Sequence, residues 1–211
     1  MSTNTTSVWR KKLKELEIVV VIPTYNNGKT LAAVIEEVCR YADDIIVVND
    51  GSTDDTANIL EQYPAIRTIT HPVNKGKGTA LKHGLSQAKK EGFRYAITID
   101  SDGQHFASDI PCFIEAIEKE PDTLLVGARN LASDNMPGKN TFANKFSNFW
   151  FRLETGLKLE DTQSGYRLYP LRKMDVQSCW YTAKYEFELE AIVFAAWGDV
   201  AVKNIPILSL I

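Results

Sequence analysis

The sequence predicts an α/β domain, a mostly parallel sheet with helices on both faces. Three observations carry that prediction. Short β-branched runs recur through the first 127 residues, continuous and apolar at 18–22 and 45–48, the pattern of strands buried on both faces. Between them lie apolar stripes at helical spacing. Strand and helix patterns also alternate one for one, which implies βαβ units and hence parallel pairing.

Residues 17–23, EIVVVIP, read as the first strand. Leu31, Val34, Ile35 and Val38 then fall at i, i+3, i+4 and i+7, one face of a helix. Residues 45–48, IIVV, are the second strand, and 54–62 a helix that Ser52 or Thr53 is placed to cap. Residues 66–70 give a third strand, and Leu81, Gly84, Leu85 and Ala88 the next helical stripe. A fourth strand covers 95–99, Ile110, Phe113, Ile114 and Ile117 mark a further helix, and 124–127 form a fifth strand.

Beyond residue 128 the alternation breaks. Residues 129–140 are polar, contain Pro137 and Gly138, and read as a loop. Phe142, Phe146, Phe149, Trp150 and Leu153 give an aromatic helical face flanked by Lys139, Lys145, Arg152 and Lys158. Residues 161–169 form a polar, glycine-containing segment, 187–196 a helix and 200–205 a last strand. The expected organisation is a flexible polar leader over 1–16 and one domain over 17–211, in two parts that meet near residue 128.

Composition narrows the function classes. With 211 residues the chain suits a single domain with a sizeable core. Its 24 basic and 27 acidic side chains give a net charge of −3, which argues against a nucleic-acid-binding surface over the whole molecule. Cys39, Cys112 and Cys179 form no C-x-x-C pair, so neither a disulfide framework nor a zinc knuckle is expected, and the thiols suit the cytoplasm. No apolar run approaches the roughly 20 residues that cross a bilayer.

In open parallel sheets, ligands bind beyond the carboxyl ends of the strands. The fourth strand delivers Asp100-Ser101-Asp102-Gly103-Gln104, two carboxylates one residue apart. Hard divalent cations take oxygen ligands, and Mg²⁺ uses one or two carboxylates and completes its shell with phosphate and water. Asp102 and the Gln104 amide oxygen are candidates for direct ligation, and Asp100 for direct or water-bridged ligation. After the first strand comes Pro23-Thr24-Tyr25-Asn26-Asn27-Gly28, an aromatic ring and amides behind a rigid proline. After the second comes Asn49-Asp50-Gly51-Ser52, whose carboxylate suits a base or ribose. After the third comes Asn74-Lys75-Gly76-Lys77-Gly78, glycines and lysines that suit a phosphorylated ligand. Each alone is ordinary turn or cap chemistry; together they converge on one edge of the sheet.

VIPTYNNGKTL, DDIIVVNDGSTDDT, NKGKGTALKHGL, DSDGQH and DTQSGYRLYP, in that order over residues 18–207, resemble glycosyltransferase family 2. The resemblance is to its dolichyl-phosphate mannose synthase-like and polyprenyl-phosphate sugar synthase-like branch. It implies the GT-A fold, a UDP- or GDP-linked sugar donor, Mg²⁺ or Mn²⁺, and inversion at the anomeric carbon. It also implies an acceptor that is a polyprenyl phosphate or a glycan hydroxyl, in cell-envelope glycan biosynthesis. By this resemblance Pro23, Tyr25 and Asp50 hold base and ribose, Lys77 lies near the nucleotide, and Arg129 meets the donor phosphates. Asp100, Asp102 and Gln104 match the metal triplet, and residues 17–128 form the nucleotide- and metal-binding part.

The remainder, 129–211, is then the acceptor side, with Gln163 and Ser164 in it. Asp161 matches an acidic position near the acceptor, as base or positioner, with a turn cap as the alternative. Arg167 adds positive charge for the leaving diphosphate or for an acceptor phosphate. Many relatives carry Glu at the position of Asn27, so the nucleotide contact expected there changes. Relatives often continue into a basic segment and membrane helices, whereas this chain stops at Ile211, as either a compact member or a shortened one. The basic aromatic helix of 139–158 suits peripheral contact with the cytoplasmic membrane face, and equally a core or homodimer contact. Two rivals stand beside this reading. A degenerate GT-A domain would bind a nucleotide sugar or a partner without catalysis. A haloacid-dehalogenase-like phosphohydrolase would share the D-x-D-G turn, but no adjacent Asp pair follows residue 55.

Overall fold

The computed structural model describes residues 3–129, 159, 161–175 and 186–208. The aromatic stripe from Phe142 to Leu153, with Lys139, Lys145, Arg152 and Lys158, lies outside the described residues.

Among the described residues seven strands form one sheet in the order β3-β2-β1-β4-β6-β5-β7. They are β1 (Ile18–Thr24), β2 (Ile45–Asn49), β3 (Arg67–Thr70), β4 (Tyr95–Thr98), β5 (Leu124–Arg129), β6 (Arg167–Pro170) and β7 (Val202–Ile207). The helices are α1 (Thr3–Glu15), α2 (Leu31–Val38), α3 (Thr56–Glu61), α4 (Lys77–Lys90), α5 (Ile110–Lys119) and α6 (Glu186–Trp197). β1 pairs in parallel with β2 and β4, β2 with β3, and β5 with β7. The mixed α/β fold expected from the sequence is the one observed.

Alternation along β1 feeds two cores. Val20 and Ile22 face a cluster with Leu31, Ile35, Phe113 and Ile114 from α2 and α5. Val19 and Val21 face the other, with Leu81 and Leu85 of α4 and Phe187 and Ile192 of α6. Every residue of β1 and β2 is buried, which is why these segments read as unbroken apolar runs. α4 sits unusually close to the sheet: a Cβ on Gly84 would lie 2.5 Å from Val21 Cγ1 and 3.0 Å from Val48 Cγ2. Gly84 is therefore a packing requirement.

Two expectations need correction. The leader expected to be flexible is instead the helix α1. Trp9, Leu13 and Leu16, at i, i+4 and i+7, pack on the α2/α5 face of the core. The Arg10 guanidinium donates to the Cys39 and Arg40 carbonyls and pairs with Asp43 at 3.0 Å. The charged composition hid this sparse stripe. Within the polar segment 161–169, Arg167 opens β6, which runs antiparallel between β4 and β5. Four residues beginning with a charge give almost no strand signal, and their neighbours in the sheet supply the stabilisation. β6 also means that the two parts meeting near residue 128 share one sheet.

Candidate active site

The carboxyl ends of β1, β2 and β4 open onto a cavity of about 560 Å³ lined by Pro23, Tyr25, Asp50, Lys77, Asp100 and Asp102, among others. That volume suits a ligand of nucleotide size. Side-chain hydrogen bonds stitch its rim from one strand end to the next. Thr53 N donates to Asn26 Oδ1 at 2.8 Å, and Asn26 N to Ser52 Oγ at 3.0 Å, tying the loop after β1 to the loop after β2. Asn27 Nδ2 donates to Ser101 Oγ at 2.8 Å and Thr30 Oγ1 to Ser101 O at 2.6 Å, tying the same loop to the turn after β4. Tyr25 is 44% exposed at the mouth, with its ring face available for stacking.

Lys77, the first residue of α4, crosses the cavity floor. Its Nζ lies 2.8 Å and 2.9 Å from the two Asp100 carboxylate oxygens and 3.0 Å from Glu188 Oε1. Burial alone would lower the pKa of this ammonium, but Asp100 and then Glu188 outweigh it and raise the pKa above its ordinary value. The two carboxylates thus favour the charged form of Lys77. Gly165 makes the arrangement fit: a Cβ there would stand 2.6 Å from Asp100 Oδ2 and 2.8 Å from both Lys77 Nζ and Glu188 Oε1. Thr98 Oγ1 pins Gly165 through its carbonyl at 2.8 Å.

Asp102 is exposed, and one of its carboxylate oxygens accepts from Gln104 N at 3.0 Å. Among the described residues no cluster of three or more His, Cys, Asp or Glu side chains converges on a metal-sized space. The donor set at this turn is two carboxylates and the Gln104 amide, all hard oxygen donors. Asp100 already receives a positive charge from Lys77. This set fits Mg²⁺ or Mn²⁺ that completes its shell with ligand phosphate and water.

The structure brings Pro23, Tyr25, Asn27, Asp50, Lys77, Asp100 and Asp102 together around the cavity, with Gln104 on the same turn as Asp102. Asp50 is there but occupied: its carboxylate accepts from Lys75 N at 2.9 Å, Gly76 N at 2.8 Å and His71 Nδ1 at 2.7 Å. The backbone of Arg129 closes β5 opposite Ile207. Asp161 is fully buried and does not line this cavity; its Oδ1 accepts from Gln163 N at 2.8 Å. Gln163 is exposed, and Ser164 is buried with its Oγ accepting from Tyr166 N. Arg167, expected beside a phosphate, is 0% exposed, and its guanidinium donates to the carbonyls of Ser164, Thr162 and Glu188. Its contacts are those of a clamp that fixes the 162–167 turn to α6.

Sequence reasoning missed Glu188, Ser101 and His71. Glu188 had a usable signal: an acid on the buried side of an apolar helix needs a cationic partner. Ser101 and His71 carried none, because their roles come from loops that meet only in the folded chain.

Residues 19–176 match the model of the family described as Glycosyl transferase family 2. The chain is 30% identical over 214 residues to UDP-N-acetylglucosamine–dolichyl-phosphate N-acetylglucosaminyltransferase of Methanococcus voltae, covering 92% of this chain and 85% of that protein. It is 27% identical to polyprenol monophosphomannose synthase of Mycolicibacterium smegmatis, covering 89% of this chain and 75% of that one. Among solved structures, glucosyl-3-phosphoglycerate synthase from Mycobacterium tuberculosis, in complex with Mg²⁺ and uridine diphosphate, superposes with a TM-score of 0.73 at 21% identity. That match covers 97% of this chain and 74% of the other and establishes the GT-A fold. With a nucleotide-sized cavity at the strand ends, that fold and the family match over residues 19–176, the chain belongs to glycosyltransferase family 2 and is a glycosyltransferase of the dolichyl-phosphate mannose synthase-like branch.

Proposed function

We propose that this enzyme transfers a sugar from a UDP- or GDP-linked donor to a polyprenyl phosphate, with inversion. The observation that carries the proposal is the convergence of Tyr25, Lys77, Asp100 and Asp102 on one cavity. Tyr25 offers a stacking face for the base, and Pro23 a rigid wall beside it. Lys77, fixed between Asp100 and Glu188, supplies a positive charge where the donor diphosphate lies, stabilising the charge that develops as the glycosidic bond breaks. Asp100, Asp102 and Gln104 would hold Mg²⁺ or Mn²⁺, which when bound adds Lewis-acid stabilisation of the leaving diphosphate. Arg129, at the end of β5, is the further cation proposed for the donor phosphates.

The burial of Asp161 supports the choice of acceptor. An alcohol needs a carboxylate within reach to take its proton, whereas a phosphate monoester is already ionised. Asp161 is enclosed and holds the Gln163 turn, a placement that suits an acceptor needing no base. Gln163 and Ser164 then shape the acceptor side. The relatives named above act on dolichyl phosphate or make polyprenol monophosphomannose, which points the same way. Among the described residues no helix is long and apolar enough to cross a membrane. The basic, aromatic sequence of residues 139–158 supports peripheral contact with the cytoplasmic membrane face.

Calorimetric titration with UDP and GDP, with and without Mn²⁺, tests the donor side. The expected result is tighter binding with the metal, a gain that Asp102→Ala abolishes while leaving thermal stability unchanged, since Asp102 is exposed. Equal binding with and without metal in both proteins overturns the reading. Transfer to a polyprenyl phosphate in detergent, compared with a neutral polyprenol, tests the acceptor. Equal turnover of the two would remove the phosphate from the proposal.

A further inference from the structure

We propose that His71 is a positioning residue for the wall of the donor cavity, linked through His83 to solvent; the functional part of this rests on the donor reading above. Asp50 and His71 are 2% and 4% exposed, so their mutual contact of 2.7 Å is sheltered from water. Asp50 also accepts the backbone N–H groups of Lys75 and Gly76. Asp50 thus holds two amides of the loop that precedes α4, sharing that of Gly76 with Asn74 Oδ1 at 3.0 Å, and Lys77 follows directly.

His71 fixes the direction in which Asp50 points. An ionised carboxylate only accepts hydrogen bonds, so His71 carries its proton on Nδ1. The other ring nitrogen, Nε2, lies 2.7 Å from His83 Nδ1, with the rings edge to face at 87°. With both rings neutral, His83 Nδ1–H donates to His71 Nε2. His83 is exposed, so the outer ring meets solvent. Burial, His71, Lys75 and Lys90 hold His83 below its ordinary pKa of 6.5, and Asp50 pulls the other way. Gly84, the next residue on α4, lets the helix approach the sheet closely.

The chain of dependence runs from His71 to Asp50, from Asp50 to the amides of Lys75 and Gly76, and from those to Lys77 on Asp100. Removing His71 leaves a buried carboxylate short of one donor, and its hold on the two amides weakens. An Asn side chain presents its Nδ2 near the place of imidazole Nδ1, whereas Gln presents its amide near Nε2.

Amide hydrogen exchange on the full chain, with His71→Phe, His71→Asn and His71→Gln, tests this without any ligand. In His71→Phe the amides of Lys75 and Gly76 should lose about tenfold protection while those of β1 and β4 keep theirs. His71→Asn should restore that protection and His71→Gln should not. Unchanged protection in His71→Phe overturns the proposal. If His71→Phe loses protection throughout, the remaining pair decides: Asn protected and Gln exposed supports the proposal, and equal behaviour of the two overturns it. Mn²⁺ with UDP or GDP should bind about tenfold more weakly to His71→Phe and normally to His71→Asn. Failure of the wild-type chain to bind either nucleotide would refute the donor reading and leave the exchange result standing.

Discussion

The two sides of the cavity use polar side chains in opposite ways. From β1 to the turn after β4, polar groups tie loop to loop through several separate contacts, many of them partly exposed: Asn26 with Ser52 and Thr53, Asn27 and Thr30 with Ser101. On the other side Asp161, Ser164 and Arg167 are deeply buried, and Arg167 holds three backbone carbonyls at once. The first arrangement places groups for a ligand and, among the ties of Asn26, Asn27, Thr30, Ser52, Thr53 and Ser101, tolerates the loss of any one. The second completes the sheet and does not. Substitutions on the first side should therefore show in binding, and those on the second in folding.

The largest effect should follow from Arg167→Met. It removes the guanidinium that bridges the carbonyls of Thr162, Ser164 and Glu188, at about 4 kcal/mol in chemical denaturation. Arg167→Lys should recover only part of that, because a single ammonium cannot reproduce the guanidinium fork. A wild-type denaturation midpoint for Arg167→Met would break the contrast between the two sides.

Next comes Gly165→Ala, at the seam where the sides meet. The new methyl meets the far ends of Asp100, Lys77 and Glu188, which can swing away, so the stability loss should stay near 1 kcal/mol. The same swing dismantles the ion triad, and transfer should fall about 100-fold. Comparing the denaturation midpoint with kcat separates the two. A loss confined to stability would place Gly165 wholly on the folding side.

These differences also mark what was legible in the sequence. The strand ends of the first side announce themselves because a buried β-branched run stops abruptly at polar residues, as IVVVIP does before Thr24 and AITI before Asp100. The second side gives little warning. Asp161 and Arg167 are charged, and a charge in a glycine-containing segment reads as loop or ligand site. Their burial is decided by β6 slotting between β4 and β5, a non-local event with no local pattern. Glu188 likewise belongs to the site only because α6 returns across Lys77. Ahead of β1, α1 escaped for the opposite reason: Trp9 and Leu13 stand among basic residues.

A smaller effect is expected at Asp109, where the turn after the Asp100–Gln104 segment meets the end of β7. Its Oδ2 accepts Leu208 N–H at 2.8 Å, yet burial raises its pKa from 3.8 to about 6. The folded state therefore binds a proton that the unfolded state has released. The resulting stability is complete below pH 3.8 and disappears as pH rises through about 6. Asp109→Asn, which carries no charge, should be more stable than the wild type by ~2 kcal/mol at pH 8 and equal to it near pH 4. Thermal melts at the two pH values check this, and a constant difference across pH would mean that Asp109 does not titrate differently on unfolding.

The smallest effect probes whether the first side is as redundant as its contacts suggest. Asn27→Ala removes one of the two ties to Ser101 and should cost about 0.5–1 kcal/mol, because Thr30 Oγ1 still holds the Ser101 carbonyl. Thr30→Val should cost a similar amount for the same reason. With both removed, nothing in this pair joins the loop after β1 to the turn that carries Asp102, and the double variant should lose more than the sum of the singles. Metal-assisted UDP or GDP binding should weaken in step, since Tyr25 and Asp102 stand on the two segments that come apart. Strict additivity in a double-mutant cycle would show that each tie acts alone, and the contrast with the single buried clamp of Arg167 would then rest on burial rather than on redundancy.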